Sequence, residues 1–226
     1  MRSLFLLLII FTFISSDAAL ASDTACMSFL KKNNVKVNTE VTVNHRSSDV
    51  EFNFNKNRRE LSQLSGKFNT YGNQVINGLT VANFRHSLAS NFIIVDMSSG
   101  YSCVWPDQVN IDIGYTDMNV YVASDFKRNS CAQITTLKHE LEHVKVHQST
   151  LTDGVSRISK NIKYFAHDKF PILLPTNREP DKIALSLLTK ELNRNVSIYE
   201  TERDMLNNKL DTPSSYKYWQ SLCSDW

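Results

Sequence analysis

The 226-residue chain has only 6 glycines and 5 prolines, scattered singly, so collagen-like and glycine- or proline-rich low-complexity architectures are excluded. It also lacks a charge excess. With 25 basic and 23 acidic residues the net charge is +2, and no basic stripe marks a nucleic-acid partner. Beyond residue 14 no apolar run is long enough to span a bilayer, so no permanent membrane anchor is expected. Cysteine is scarce, and the four residues (Cys26, Cys103, Cys131 and Cys223) are far apart. Without a C-x-x-C pair they do not suit a cysteine metal site. An even count favours two disulfides, of three pairings, in an oxidising compartment such as the periplasm or the medium.

The amino terminus supplies the matching address. Met1-Arg2-Ser3 is a short positive start, and Leu4 to Ile14 is apolar but for Thr12. Ala19-Leu20-Ala21 then gives the small-x-small pattern of a secretory signal peptide, residues 1–21, cut before Ser22. Cys26 has no aliphatic residue three positions before it, so it reads as an ordinary cysteine rather than a lipidation site. Residues 22–226 are long enough to bury one sizeable core and are expected to form a single, monomeric domain.

Alternation predicts strands at Val35–Val37, Val41–Val43 and Val50–Phe54, then at Leu79–Phe84, Phe92–Met97, Val109–Ile113 and Val120–Ala123. A short helix is expected over residues 56–64, a turn-rich stretch over Tyr71–Gly78 and a turn at Ser98–Gly100. Asn129-Ser130 offers caps for a helix over about Ala132–Ser149. After Asp153-Gly154 come a mixed segment, a loop punctuated by prolines from Pro171 to Pro180, and a helix capped by Asp181. That helix runs to about Leu210, with Asn193 to Ser197 as a potential break. Asn195-Val196-Ser197 is also a glycosylation sequon. The fold class this implies is α+β: an antiparallel or mixed sheet against the helix that starts near residue 132, followed by C-terminal helices.

That helix carries the chemistry. His139-Glu140-Leu141-Glu142-His143 is an H-E-x-x-H run with no glycine or proline nearby to break it. Residues i and i+4 share a helix face, so both imidazoles reach one Zn²⁺, and Glu140 lies beside it as general base for a metal-activated water. Thr136, Leu137, Leu141 and Val144 suit a buried helix, whereas Glu142 and Lys145 suit a solvated one. Catalytic zinc normally takes a third protein ligand. Glu200 is the leading candidate, because Glu200 and Asp204 share a helix face and can divide ligation and histidine support between them. Glu202 comes next, and His167 lies within reach of a looped-back ligand. His147 lies eight residues past His139, about 12 Å along a straight helix, and is better placed as a supporting histidine. Asp153 reads as a turn residue, and His45 and His86 as incidental. Tyr164, Tyr199 or His167 could polarise a substrate carbonyl.

The motif helix, the export signal and the strand ahead of the helix resemble zincin-type metallopeptidases. In that fold this strand, here Val120–Ala123, lies at the sheet edge and binds extended peptide by strand addition. Val50 to His147 is similar in layout to a bacterial family of secreted zinc-dependent proteases of unknown substrate. The shared elements are a strand entering Glu60-Leu61, Gly78-Leu79-Thr80, Cys103 opening a strand, and Cys131 just before the motif helix. Glu200 and Asp204 are similar to the E-x-x-x-D helix of another zincin group. The resemblance implies zinc held by His139, His143 and a third residue, with water attack on a peptide carbonyl of a protein substrate. Two other readings compete: a zinc amidase acting on cell-wall material, and an exported, disulfide-stapled binding domain without catalysis.

Overall fold

Alternating apolar residues at Val109, Ile111, Ile113 and Tyr115 build the inward face of one long strand, and all four are buried. One extra residue, Thr116, then bulges out between the pairs Phe84–Tyr115 and Asn83–Asp117. A bulge shifts the side-chain phase by one, so the inward set continues as Met118, Val120 and Val122.

The computed structural model describes residues 17–66, 76–224 and 226. Among these it is an α+β fold with five helices and one five-stranded sheet. In chain order the elements are α1 (Asp17–Lys32), β1 (Glu40–Arg46), β2 (Val50–Asn53), α2 (Arg58–Leu64), β3 (Gly78–Asp96), β4 (Tyr101–Val122), α3 (Cys131–Lys169), β5 (Ile172–Pro175), α4 (Pro180–Leu210) and α5 (Pro213–Ser221). The sheet is mixed and organised by β4. One flank of β4 pairs antiparallel with β3 along its length. The opposite flank takes β5 antiparallel, then β1 and β2 parallel, end to end.

The four short strands expected between residues 79 and 123 are two long ones, joined at the expected Ser98–Gly100 turn. Pairing continues through the polar stretches because their side chains face solvent. Val120–Ala123 is not an edge, since Val120 has partners on both sides, Phe52 and Thr80. The outer edge next to α3 belongs to β3. Val35 and Val37 pack on the core without joining a strand. The short helix expected over residues 56–64 forms as α2, closed by a capping box between Asn57 and Glu60. The signal-peptide run Leu4–Ile14 and most of the turn-rich Tyr71–Gly78 lie outside the described residues, and α1 runs across the expected cleavage point.

Helix α3 begins at the expected cap, where the Ser130 side chain accepts from the Gln133 N–H at 3.2 Å. It continues for 39 residues, past the expected end at Ser149. Gly154 does not stop it, because the missing side chain is what lets α4 come close. A Cβ there would lie 2.6 Å from the Tyr199 ring. Helix α4 runs unbroken through Asn193–Ser197, and its N-cap is Glu179 rather than Asp181. Asn195 is held inside, donating to Glu191 O and accepting from Asn161. At 4% exposure its sequon is closed to a glycosylating enzyme in the folded chain.

Disulfides Cys26–Cys103 and Cys131–Cys223 tie α1 to β4 and the start of α3 to the end of α5. Two such bonds fit folding in an oxidising, exported environment. No described helix is long and apolar enough to cross a membrane. Gly154→Ala would gain up to about 1 kcal/mol of helix propensity but clash with a ring that cannot yield. A net loss of about 1–2 kcal/mol is expected, read as a lower urea midpoint; a raised midpoint would contradict this packing.

Candidate metal centre

Helices α3 and α4 run antiparallel, connected through the loop that contains β5. Their side-chain pairs fix the register: Asn161 with Asn195, Gly154 with Tyr199, His143 with Asn207 and His139 with Asp211. The motif turn of α3 therefore meets the last turn of α4, where Asp211 is the C-cap.

There, three ligand atoms converge. His139 Nε2 and His143 Nε2 are 3.3 Å apart, and each lies 3.2 Å from Asp211 Oδ1. Ligand atoms about 2.0–2.1 Å from a tetrahedral ion are separated by roughly 3.3 Å, so the triangle fits a zinc-sized cation. The two imidazoles and one carboxylate form a group that can hold a metal ion. Asn207 Oδ1 lies 2.9 Å from His143 Nδ1, and accepting that N–H leaves the Nε2 lone pair facing the centre. His139 Nδ1 is buried with no partner among the described residues.

Glu140 stands beside this group at 4% exposure. Thr80, on β3, donates to the Glu140 carboxylate at 2.8 Å and lies 3.0 Å from its backbone carbonyl. Gly78 opens the space for the other carboxylate oxygen, since a Cβ would sit 2.6 Å from Oε1. Burial pushes the Glu140 carboxyl up, and the two histidines and Thr80 oppose that rise. Asp211 is pushed up by burial too, but hydrogen bonds to both imidazoles and from Tyr216 hold it well below the carboxylate range. Burial works against charge on His143, and the hydrogen bond to Asp211 with the Glu140 charge outweighs it, raising the imidazole.

Helix α5 forms the second wall. None of its residues is buried, yet Tyr216 and Trp219 approach the His139 ring at 5.5 and 5.7 Å. The Tyr216 hydroxyl donates to Asp211 Oδ1 at 2.7 Å. The Cys131–Cys223 disulfide holds this helix against the start of α3. The cleft between α5, β3 and α3 has a volume of about 560 Å³.

His139, Glu140 and His143 are thus brought together as the motif spacing implies. Glu200 is not. It sits three helical turns before Asp211, about 16 Å away along α4, and ion-pairs with Arg203. The carboxylate at the histidines is Asp211, which replaces Glu200 as the candidate third ligand. Glu202 pairs with Arg157 on the outer side of the helix pair. His167 lies on the exposed last turn of α3, about 36 Å along the helix from His143, and Asp153 is exposed on the same helix. Tyr164 is 70% exposed and Tyr199 is buried against Tyr115, so the hydroxyl near the centre is that of Tyr216. No protein-family model, curated protein or solved structure matches the chain.

His147, one turn past His143, is pulled down to about 4 by burial first and then by the Arg203 charge. The unfolded chain keeps the ordinary value of 6.5, so on acidification the unfolded state takes up a proton that the folded state refuses. This contribution to stability is complete above pH 6.5 and is lost as the pH falls towards 4. It amounts to a loss on the order of 1–3 kcal/mol. Urea titrations of metal-free protein at pH 7 and pH 4.5 check this against His147→Gln, which should lose less on acidification. Equal losses in the two proteins would contradict it.

Proposed function

We propose that the chain is an exported zinc metallopeptidase, with His139, His143 and Asp211 as metal ligands and Glu140 as general base. One observation carries the reading: two imidazole nitrogens and one carboxylate oxygen meet at 3.2–3.3 Å beside a buried second carboxylate in an open cleft. Nitrogen and oxygen donors of this kind suit zinc. Bound zinc supplies a Lewis acid that acidifies water and polarises a carbonyl.

The remaining work falls to side chains of the chain. Glu140 has one carboxylate oxygen fixed by Thr80 and the other towards Gly78, so it accepts a proton from the attacking water without swinging. The same carboxyl then delivers that proton to the leaving amine nitrogen. Its burial raises the carboxyl above its ordinary range, which eases that delivery. The Tyr216 O–H donates to Asp211 Oδ1 at 2.7 Å in this structure, and by turning from that acceptor it would serve the carbonyl oxygen as negative charge develops there. Beside Glu140, the outer edge of β3 from Gly78 to Val81 has no strand partner among the described residues. Its free N–H and C=O groups suit an extended peptide added as a further strand.

The test is zinc content by elemental mass spectrometry with hydrolysis of denatured casein measured alongside. The mature chain should hold about one zinc. His143→Ala and Asp211→Ala should lose it, while Glu140→Gln should keep it and hydrolyse at least about 10³-fold more slowly. Full hydrolysis by zinc-loaded Glu140→Gln, or no zinc in the unaltered chain, would refute the assignment.

A further inference from the structure

From His147 in the cleft wall a hydrogen-bond chain that the proposed chemistry leaves unused runs into the core. Tyr199 and Tyr115, both 1% exposed, have their hydroxyls 2.6 Å apart, and the Tyr115 hydroxyl lies 2.9 Å from His147 Nδ1. His147 itself lines the cleft one helical turn beyond His143. Tyr199 and Tyr115 are buried and His147 is half-buried, and only one direction of donation uses every hydrogen of the three.

If His147 Nδ1–H donated to Tyr115, three hydrogens would have to serve two contacts. Either the Tyr115 or the Tyr199 hydrogen would then be buried with no acceptor among the described residues. A stranded buried donor is costly. In the reverse direction Tyr199 donates to Tyr115, Tyr115 donates to the Nδ1 lone pair, and every hydrogen is used. The proton of the neutral imidazole is then on Nε2. Burial and the Arg203 charge keep the ring neutral at physiological pH.

Resting on the metallopeptidase reading, we propose that His147 is a substrate-binding residue whose Nε2–H, held in place by Tyr115 and Tyr199, donates to a main-chain carbonyl of the substrate. Its place on the helix sets which carbonyl. One turn is about 5.4 Å along the axis from His143. In an extended chain, carbonyls on one side recur every two residues, about 6.6 Å apart. The acceptor is therefore the carbonyl two residues from the one attacked. Asn207 adds to the site: with Oδ1 turned to His143, its amide N–H groups are left for the same cleft. Two neutral N–H donors suit an amide carbonyl, and the Asp204 carboxylate that also lines the cleft is ion-paired with Arg203. The substrate class is accordingly a peptide whose main chain extends at least two residues beyond the attacked carbonyl on that side.

The tautomer is read first, by long-range ¹⁵N–¹H NMR of the imidazoles in the zinc-loaded Glu140→Gln protein at pH 7. His147 should show a pyrrole-like Nε2 and a pyridine-like Nδ1, and Tyr115→Phe should abolish that bias. An Nδ1–H tautomer or an imidazolium would overturn the proposal. The second readout is steady-state hydrolysis of internally quenched decapeptides and of casein. His147→Phe should raise KM about tenfold with kcat within about twofold and zinc unchanged, the loss of one hydrogen bond. His147→Gln, which keeps an N–H donor, should recover part of it. An unchanged KM in His147→Phe, with the unaltered chain active, overturns this role alone. Inactivity of the zinc-loaded unaltered chain on every peptide overturns the metallopeptidase reading and this inference together.

Discussion

The antiparallel contact between α3 and α4 is the constraint on which the site depends. Its interior is ordinary packing, with Ile158, Ile162, Leu188, Leu192 and Val196 buried and Gly154 yielding space to Tyr199. That packing sets a register, and the register brings Asp211 to His139 and Asn207 to His143. A slip of one turn towards the start of α4 would move both partners about 5.4 Å, setting Asn207 opposite His139 and Arg203 opposite His143, with no carboxylate at either imidazole. The C-terminal end of α4 also brings the negative end of its helix dipole to the same place, which favours a cation.

Two carboxylates and two imidazoles close together under partial burial are an expensive arrangement for a protein without a counter-ion. Desolvation pushes Glu140 towards its neutral form, and Asp211 stays charged only through its hydrogen bonds. A divalent cation at the triangle would relieve both, neutralising Asp211 and giving the two Nε2 atoms a shared partner. The surrounding structure commits space to this group: Gly78 carries no side chain where Glu140 needs room, and α5 is pinned over His139 by a disulfide rather than by a core of its own.

Much of this was legible in the sequence, and the misses have identifiable causes. H-E-x-x-H on an unbroken helix depends on local periodicity alone, so His139, Glu140 and His143 were readable. Strand merging was not, because the polar stretches in β3 and β4 look like loops until a neighbouring strand satisfies their backbone. Glu200 stands out when α4 is taken as an isolated charged helix, and Asp211 does not figure among the candidates such a reading yields. Asp211 precedes Thr212-Pro213, so its local sequence marks a helix end and nothing more. The signal lay in the hairpin geometry. His139 is 36 residues before Pro175 and Asp211 is 36 after it, and His143 and Asn207 are 32 on either side. Two antiparallel helices joined at a proline-punctuated loop bring such pairs together, whereas Glu200 falls opposite residue 150. The aromatic wall of α5 needed the Cys131–Cys223 pairing, which four cysteines alone leave open among three choices.

Zinc K-edge X-ray absorption on the metal-loaded chain tests the centre most directly. The expected first shell is four-coordinate and purely nitrogen and oxygen at about 2.0–2.1 Å, with outer-shell scattering from two imidazoles. In Asp211→Ala one oxygen should be lost or replaced by solvent, and in Glu200→Ala the spectrum should be unchanged. Sulfur in the shell, a six-oxygen hydrated ion, or a spectrum that responds to Glu200 and ignores Asp211 would contradict a metal centre built from His139, His143 and Asp211.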